Sequence, residues 1–466
     1  MVSRIRPFGS WKGHHSVWLV LFIAWSVCYL DRSITGPIVS WMITNEVGMI
    51  SGIAEPHALG GLIGSMFFAG YMLTQFPAGY LGDRYGRKTM LVISTVWAGA
   101  TTVMSGLTRG ITTFVAARVL TGLGEGAYYS NDRALVTRVT PPEKVGTGMG
   151  VVFVGLAAGM TIATVTAPWL MDMAAGFMGQ DAWTFPFLIF GPPTILVGVL
   201  LHRRLPVGPV ESYRGALPRL IAYSILFLAV IMAFYQFSLT MRLGVLWQSA
   251  FVLLAALLLV ALIYVRLGKV SAPVLYDRSL LLMYISAVPI LFTLWFFGFW
   301  ALLVVAESSD LGLSGAAIYA GLFGLASAVG YPLGGIVCDH VPGMFRRKRL
   351  YALVCMAVAV LVLMLVPAIQ SMDLLTLGLL LFLIGASFSA MQTVHMTLTA
   401  DLSPPAMMGQ SFGMWNLVGE IGALMSPVVC GYLRDATGGW EAAILLTAGM
   451  LVVSAILVSI VPRAVR

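Results

Sequence analysis

Runs of about twenty apolar residues, parted by short polar stretches rich in Arg, Lys, Gly and Pro, recur along the whole chain. At about 1.5 Å of helical rise per residue, each run can cross a hydrocarbon core of about 30 Å. The pattern predicts helices near 16–42, 58–81, 89–107, 111–137, 144–171 and 183–202. A polar, Pro-containing segment follows at 202–218, and then two closely spaced runs, 219–240 and 244–265, separated only by a turn around Arg242. That spacing predicts a helical hairpin. After a linker at 266–278 come six more runs, near 279–305, 314–338, 349–369, 373–399, 407–432 and 440–461. The expectation is an all-α polytopic membrane protein of 14 transmembrane helices. It divides into a six-helix bundle over 1–205, a linker plus inserted hairpin over 206–275, and a second six-helix bundle over 276–466.

The distribution of basic residues tests this count, because a misplaced span would invert every loop after it. With both termini on the cytoplasmic side, all but five of the 27 Lys and Arg fall in cytoplasmic segments. The exceptions are Arg32 and Arg118 within spans and Arg109, Arg242 and Arg434 outside. The hairpin's sidedness demands an even number of crossings there, and its length covers the hydrocarbon core twice. No cleavable signal peptide is expected, since the first apolar run continues through Asp31 and Arg32 and exceeds a signal h-region.

Composition sharpens the class. The 466 residues are 59% hydrophobic and 10% charged, far outside the soluble globular range. The net charge of +8 sits between apolar segments rather than in a patch, so no nucleic-acid partner is expected. The four cysteines, Cys28, Cys338, Cys355 and Cys430, show no CxxC spacing; packing residues are expected, with neither a disulfide framework nor a metal site. Gly122-Leu123-Gly124-Glu125-Gly126 has no preceding strand and the wrong spacing for a dinucleotide loop, so close helix packing is the better account. No phosphate loop or hydrolase triad appears, and no cofactor or enzymatic activity is expected.

The loop after the second run reads Gly79-Tyr80-Leu81-Gly82-Asp83-Arg84-Tyr85-Gly86-Arg87-Lys88. It resembles the G-x-L-x-D-R-x-G-R-K signature of the major facilitator superfamily. A decayed copy, Gly334-Gly335-Ile336-Val337-Cys338-Asp339-His340 with Arg346 to Arg349, follows the second run of the second half. The resemblance implies two related halves, a site near the midplane between them, and gating roles for Gly79, Asp83, Arg84, Gly86, Arg87, Lys88 and Asp339. Within the superfamily, Tyr29-Leu30-Asp31-Arg32, Gly70-Tyr71-Met72-Leu73-Thr74-Gln75-Phe76-Pro77-Ala78-Gly79 and Arg118-x3-Gly122-x-Gly124-Glu125-Gly126 are similar to the anion:cation symporter family. The second half is similar more loosely, through Asn416, Gly419 and Pro427. That likeness implies proton-driven uptake of carboxylates, sugar acids or related anions. The hairpin departs from the family's usual twelve helices and is a feature of fourteen-span drug exporters. The fifth run, however, lacks the G-P-x-x-G-G signature of those exporters.

Charges within apolar runs supply the candidate chemistry. A charge at mid-bilayer costs roughly 2.5 to 3.5 kcal/mol on the insertion scale, so such residues persist where they face a wet cavity or each other. Arg32 and Arg118 can each offer two parallel donors to a carboxylate or phosphate. Asp31 and Glu125 are candidate proton carriers, with static buried ion pairs as the structural alternative. Glu125 is expected to pair with Arg118 in the empty carrier and to release it on protonation. Glu420 is read either as a substrate or proton contact or as a neutral carboxyl held by helix–helix hydrogen bonds. Tyr71, Gln75, Tyr128, Tyr129, Gln392 and Asn416 are candidate substrate-binding groups. His395 and Asp401 are expected at a solvated gate. Trp295, Phe296, Phe297, Phe299 and Trp300 are expected to face lipid or the interface.

The expected function is proton-coupled symport of a small organic anion by alternating access, in a monomer of the bacterial inner membrane. Its partners would be the anion, protons and the lipid bilayer. The alternative is a proton-driven antiporter exporting a drug-like molecule or siderophore.

Overall fold

The computed structural model describes residues 12–141, 144–208, 210–267 and 272–462, and among these every regular element is helical. Apolar segments with no water to serve their backbone satisfy it internally, which favours helices throughout. The first half comprises α1 (Gly13–Ser33), α2 (Thr35–Thr44), α3 (Pro56–Tyr85), α4 (Arg87–Gly106), α5 (Ile111–Glu125), α6 (Tyr129–Val139), α7 (Val145–Met178) and α8 (Phe185–Arg204). The middle holds α9 (Tyr213–Thr240), α10 (Val245–Leu267) and the short α11 (Ala272–Leu275). The second half comprises α12 (Arg278–Glu307), α13 (Leu313–His340), α14 (Met344–Leu363), α15 (Leu365–Ser371), α16 (Leu374–Leu402), α17 (Met408–Thr437) and α18 (Glu441–Ser459).

A helix or a broken helix covers each of the apolar runs in the sequence. Ten helices among the described residues are long and apolar enough to cross a membrane, eleven when α3, bent by 45° ahead of Pro77, is taken as one span. The fourth run falls short because it is split at Gly126 into α5 and a polar α6. In α10 only Val245–Leu258 enters the apolar count. The linker expected at 266–278 includes 268–271, which lie outside the described residues.

Helices of the first half pack chiefly on one another, α4 along α8, α1 along α7 and α3 along α5. Those of the second half do the same, α13 along α16, α12 along α17 and α14 along α18. The halves meet through α3 with α17, α7 with α13, and α2 with α12. Between α3 and α5 the glycines of the Gly-x-Gly-x-Gly stretch set the distance: a Cβ on Gly122 would run into the Phe67 carbonyl, and one on Gly126 into the Tyr71 carbonyl. The run is a packing seam.

Two sequence expectations are corrected here. The aromatics Trp295, Phe296, Phe297, Phe299 and Trp300 are all buried, because α12 is enclosed by α2, α13, α17 and α18 rather than placed at the lipid boundary. His395 is likewise buried, in contact with Ser286 (2.7 Å) and the Trp415 indole (3.0 Å), and is no part of a solvated gate. Asp401 does sit at a partly exposed end, accepting from Arg347 at 2.6 Å. The four cysteines are free and buried.

Candidate functional site

A cavity of about 1750 Å³ lies between the halves, walled by α3, α6, α7, α13, α16 and α17. It opens at the end that carries the Asp83–Lys88 loop and Asp339. Contacts between the halves close its deep end. The Asn416 amide donates to Gln75 Oε1 at 2.7 Å, Tyr29 stacks on Trp295 with ring centres 6.3 Å apart, and Phe153 stacks on Tyr331 at 5.5 Å.

Past this closure lie the charges of α1 and α5. Arg32 donates through Nε and Nη2 to Glu125 Oε2, at 3.3 and 3.1 Å. Its guanidinium lies over the rings of Tyr71 at 4.1 Å and Tyr29 at 4.6 Å, a cation–π cage that lowers the cost of burial. The other Glu125 oxygen has no hydrogen-bond partner among the described residues. The expected Arg118–Glu125 pair is not formed. Arg118, fully buried, instead donates to the hydroxyls of Ser105, Thr121 (3.1 Å) and Thr35 (3.5 Å) and lies over Phe187 at 4.7 Å. Seven residues of helix separate Arg118 from Glu125 by about 10 Å of rise, whereas α1 brings Arg32 alongside. Asp31 is fully buried beside Thr102 and Thr194, yet neither carboxylate oxygen closes a hydrogen bond of normal geometry.

The other candidates divide between cavity and core. Gln75 and Tyr129 line the cavity. Tyr71 and Tyr128 are buried, the Tyr128 ring edge-on to Trp25 at 5.3 Å. Gln392 accepts from the Tyr331 hydroxyl at 2.9 Å, which ties it to a lining residue. Asn416 meets Gln75 as described, and Glu420, one turn on along α17, is buried with Oε2 lacking a hydrogen-bond partner among the described residues.

At the open end, Gly79, Asp83, Gly86, Arg87, Lys88 and Asp339 all line the mouth. Asp83 pairs with Arg87 one turn on, Arg84 donates to the Tyr80 hydroxyl at 3.2 Å, and Lys88 donates to the Leu205 carbonyl at 2.9 Å. Gly86 adopts φ +100°, a conformation L side chains rarely adopt, and separates α3 from α4. Arg347, from the second copy of the motif, donates to the Val341 and Cys338 carbonyls that end α13 as well as to Asp401.

The opposite end is sealed by groups that sequence reasoning passed over. The His57 ring meets Asp435 at 2.6 Å and Glu307 at 3.2 Å, and Arg434 and the Trp440 indole each donate to Glu307 at 2.8 Å. A second clasp joins Trp41 and Ser314 through Asp172. Glycines let backbones approach here: a Cβ on Gly61 would strike the Pro427 carbonyl, and one on Gly431 the His57 carbonyl. Arg133, a lining residue of α6, also went unremarked, because its place near the end of an apolar run reads as a loop charge. Its place among Trp25, Tyr129 and Phe153 comes from three segments that no local pattern connects.

The family model described as Major Facilitator Superfamily matches residues 21–319 and 296–465. The chain is 22% identical to the probable sulfoacetate transporter of Cupriavidus necator, over 96% of this chain and 93% of that one. It is 22% identical to the D-galactonate transporter of Escherichia coli, over 93% and 92%. Its fold is similar to the crystal structure of a D-xylose–proton symporter, with a TM-score of 0.68 at 15% identity, covering 96% of this chain and 97% of that one.

Proposed function

The chain belongs to the major facilitator superfamily, and from that footing we propose that it is a secondary carrier moving a small organic anion together with a proton by alternating access. The observation that carries this reading is the buried Arg32–Glu125 pair beyond the head of the cavity, with Arg118 and Asp31 beside it. The formal charges of these four groups cancel. An anion entering alone upsets the balance and a proton entering with it restores it, which favours coupled movement over simple anion binding. The names of the two relatives above, one for sulfoacetate and one for D-galactonate, support an organic anion as cargo.

In this reading Arg32, Arg118, Tyr71, Gln75, Tyr128, Tyr129, Gln392 and Asn416 surround or position the anion, and Asp31, Glu125 and Glu420 handle the proton. Protonating Glu125 removes the charge that holds Arg32, freeing donors for the substrate. The mouth residues from Gly79 to Lys88, with Asp339, gate the cytoplasmic side of a bacterial inner membrane. Fourteen segments cross that membrane, bundles 1–205 and 276–466 flank the hairpin segment 206–275, both termini are cytoplasmic, and the monomer is the working unit.

Proteoliposomes test this. An inward proton gradient should drive uphill uptake of the anion, and Glu125→Gln should abolish the uphill component while leaving exchange of anion across the bilayer. Uphill accumulation by Glu125→Gln removes Glu125 from the coupling step. The extra helices α9 and α10 favour a second reading, a proton antiporter exporting a drug-like molecule or siderophore. It requires the opposite sign, substrate expelled as protons enter.

A further inference from the structure

Arg133 is the least exposed of the arginines that line the cavity among the described residues; the Arg87 side chain is 27% exposed and Arg138 lies open. The Arg133 side chain is 12% exposed. The guanidinium carbon lies 4.0 Å from the centre of the Phe153 ring, 5.3 Å from Trp25 and 5.6 Å from Tyr129. Aromatic rings therefore occupy its faces and leave its edge for hydrogen bonding. That edge is poorly served. Nη1 meets Met149 Sδ at 3.2 Å, a weak acceptor. Nε lies 3.2 Å from Asp132 Oδ1 without the alignment of a hydrogen bond, and Nη2 has no partner among the described residues. The other Asp132 oxygen is taken by the Trp25 indole.

Nε and Nη2 are themselves buried; buried donors left unfilled are costly, and an anion with two coplanar oxygens fills them. The acidic residues that line the same cavity, Asp83, Glu211 and Asp339, belong to its mouth. The deeper wall near Arg133 offers amide, hydroxyl and aromatic groups: Gln75, Ser130, Thr393, and the Phe153–Tyr331 stack. We infer that Arg133 anchors the carboxylate or sulfonate of the transported anion when the cavity is open at this end, with a hydroxylated body lying against Phe153 and Tyr331. The inference rests on the anion-carrier reading and adds to it the residue that first holds the cargo.

The test uses full-length purified protein with D-galactonate, D-glucuronate and sulfoacetate as probes and galactitol as the neutral counterpart of galactonate. Wild type should bind at least one anion and discriminate against galactitol. Arg133→Gln should weaken that anion on the order of tenfold to a hundredfold, and Arg133→Lys, which keeps the charge but not the fork, should fall between. A second readout does not depend on the variants folding: phenylglyoxal modification of Arg133 in wild type, mapped by peptide mass spectrometry, should be slowed by the anion and not by galactitol. If wild type binds none of the three anions, the anion-carrier reading falls and this inference with it. If wild type binds an anion while Arg133→Gln keeps full affinity, or while Arg133 stays equally reactive, only the anchoring role is overturned.

Discussion

Arg32 and Arg118 are both buried guanidinium groups, and their partners set them apart. Arg32 is held by a carboxylate, Arg118 by three hydroxyls. Removing one member of a buried ion pair strands the other, at a cost of about 3–5 kcal/mol, whereas removing both costs far less. Arg32→Gln should therefore lower the melting temperature markedly, and Arg32→Gln with Glu125→Gln should recover most of the loss; melting curves of the two singles and the double give the coupling. No recovery would mean the pair contributes nothing as a pair. The residue types at this site were legible in the sequence, because charge inside an apolar run is a strong signal. Their pairing was not, because seven residues along one helix looked like proximity while the true neighbour came from another helix. Arg133 was missed for the same reason, since its aromatic surroundings gather residues of α1, α6 and α7.

At the scale of elements, hydrophobic runs located the helices well but not their interruptions. The fourth run breaks at Gly126–Tyr128, where α3 passes too close for a side chain on Gly126; only tertiary packing reveals that. The aromatic segment of α12 misled for a related reason, since an apolar helix enclosed by protein and one facing lipid share a composition. The linker before α9 illustrates a capping device at long range. Glu211 accepts from the backbone N–H of Thr89 at 2.9 Å and from its hydroxyl at 2.5 Å, serving the first turn of α4. Glu211→Ala should destabilise the protein by about 0.5–2 kcal/mol, read as a lower melting temperature, and an unchanged melt would show the cap to be idle. Asp373, in the loop before α16, caps Leu375 and Thr376, and the bonds from Thr376 hold its carboxyl below the ordinary carboxylate range. A depressed carboxyl gives its stabilisation above the unfolded value and loses it only as pH falls through the folded one. The cap is thus intact throughout the neutral range, and Asp373→Asn should leave the pH profile of transport unchanged.

For the whole molecule, the repeated loop motif leads one to expect two related halves, but nothing in the chain announced which end would be open. Among the described residues, the cavity is open on the Asp83–Lys88 side, and two clasps close the other end. Thr393 lines the cavity and the four native cysteines are buried, so Thr393→Cys should react with a membrane-impermeant maleimide added on the side of that loop and stay silent from the opposite side. Equal labelling from both sides would show that the sealed end is not sealed in the membrane. The seal also offers a handle to the experimenter. Gly61 admits the Pro427 backbone only because it has no Cβ, and a backbone carbonyl cannot swing aside as a side chain can. Gly61→Ala thus works against the closed end without touching a charge or a lining residue. In the alternating-access cycle proposed above, a single methyl there should act as a conformational lock, favouring the half opposite to the one described and making that half available for direct observation.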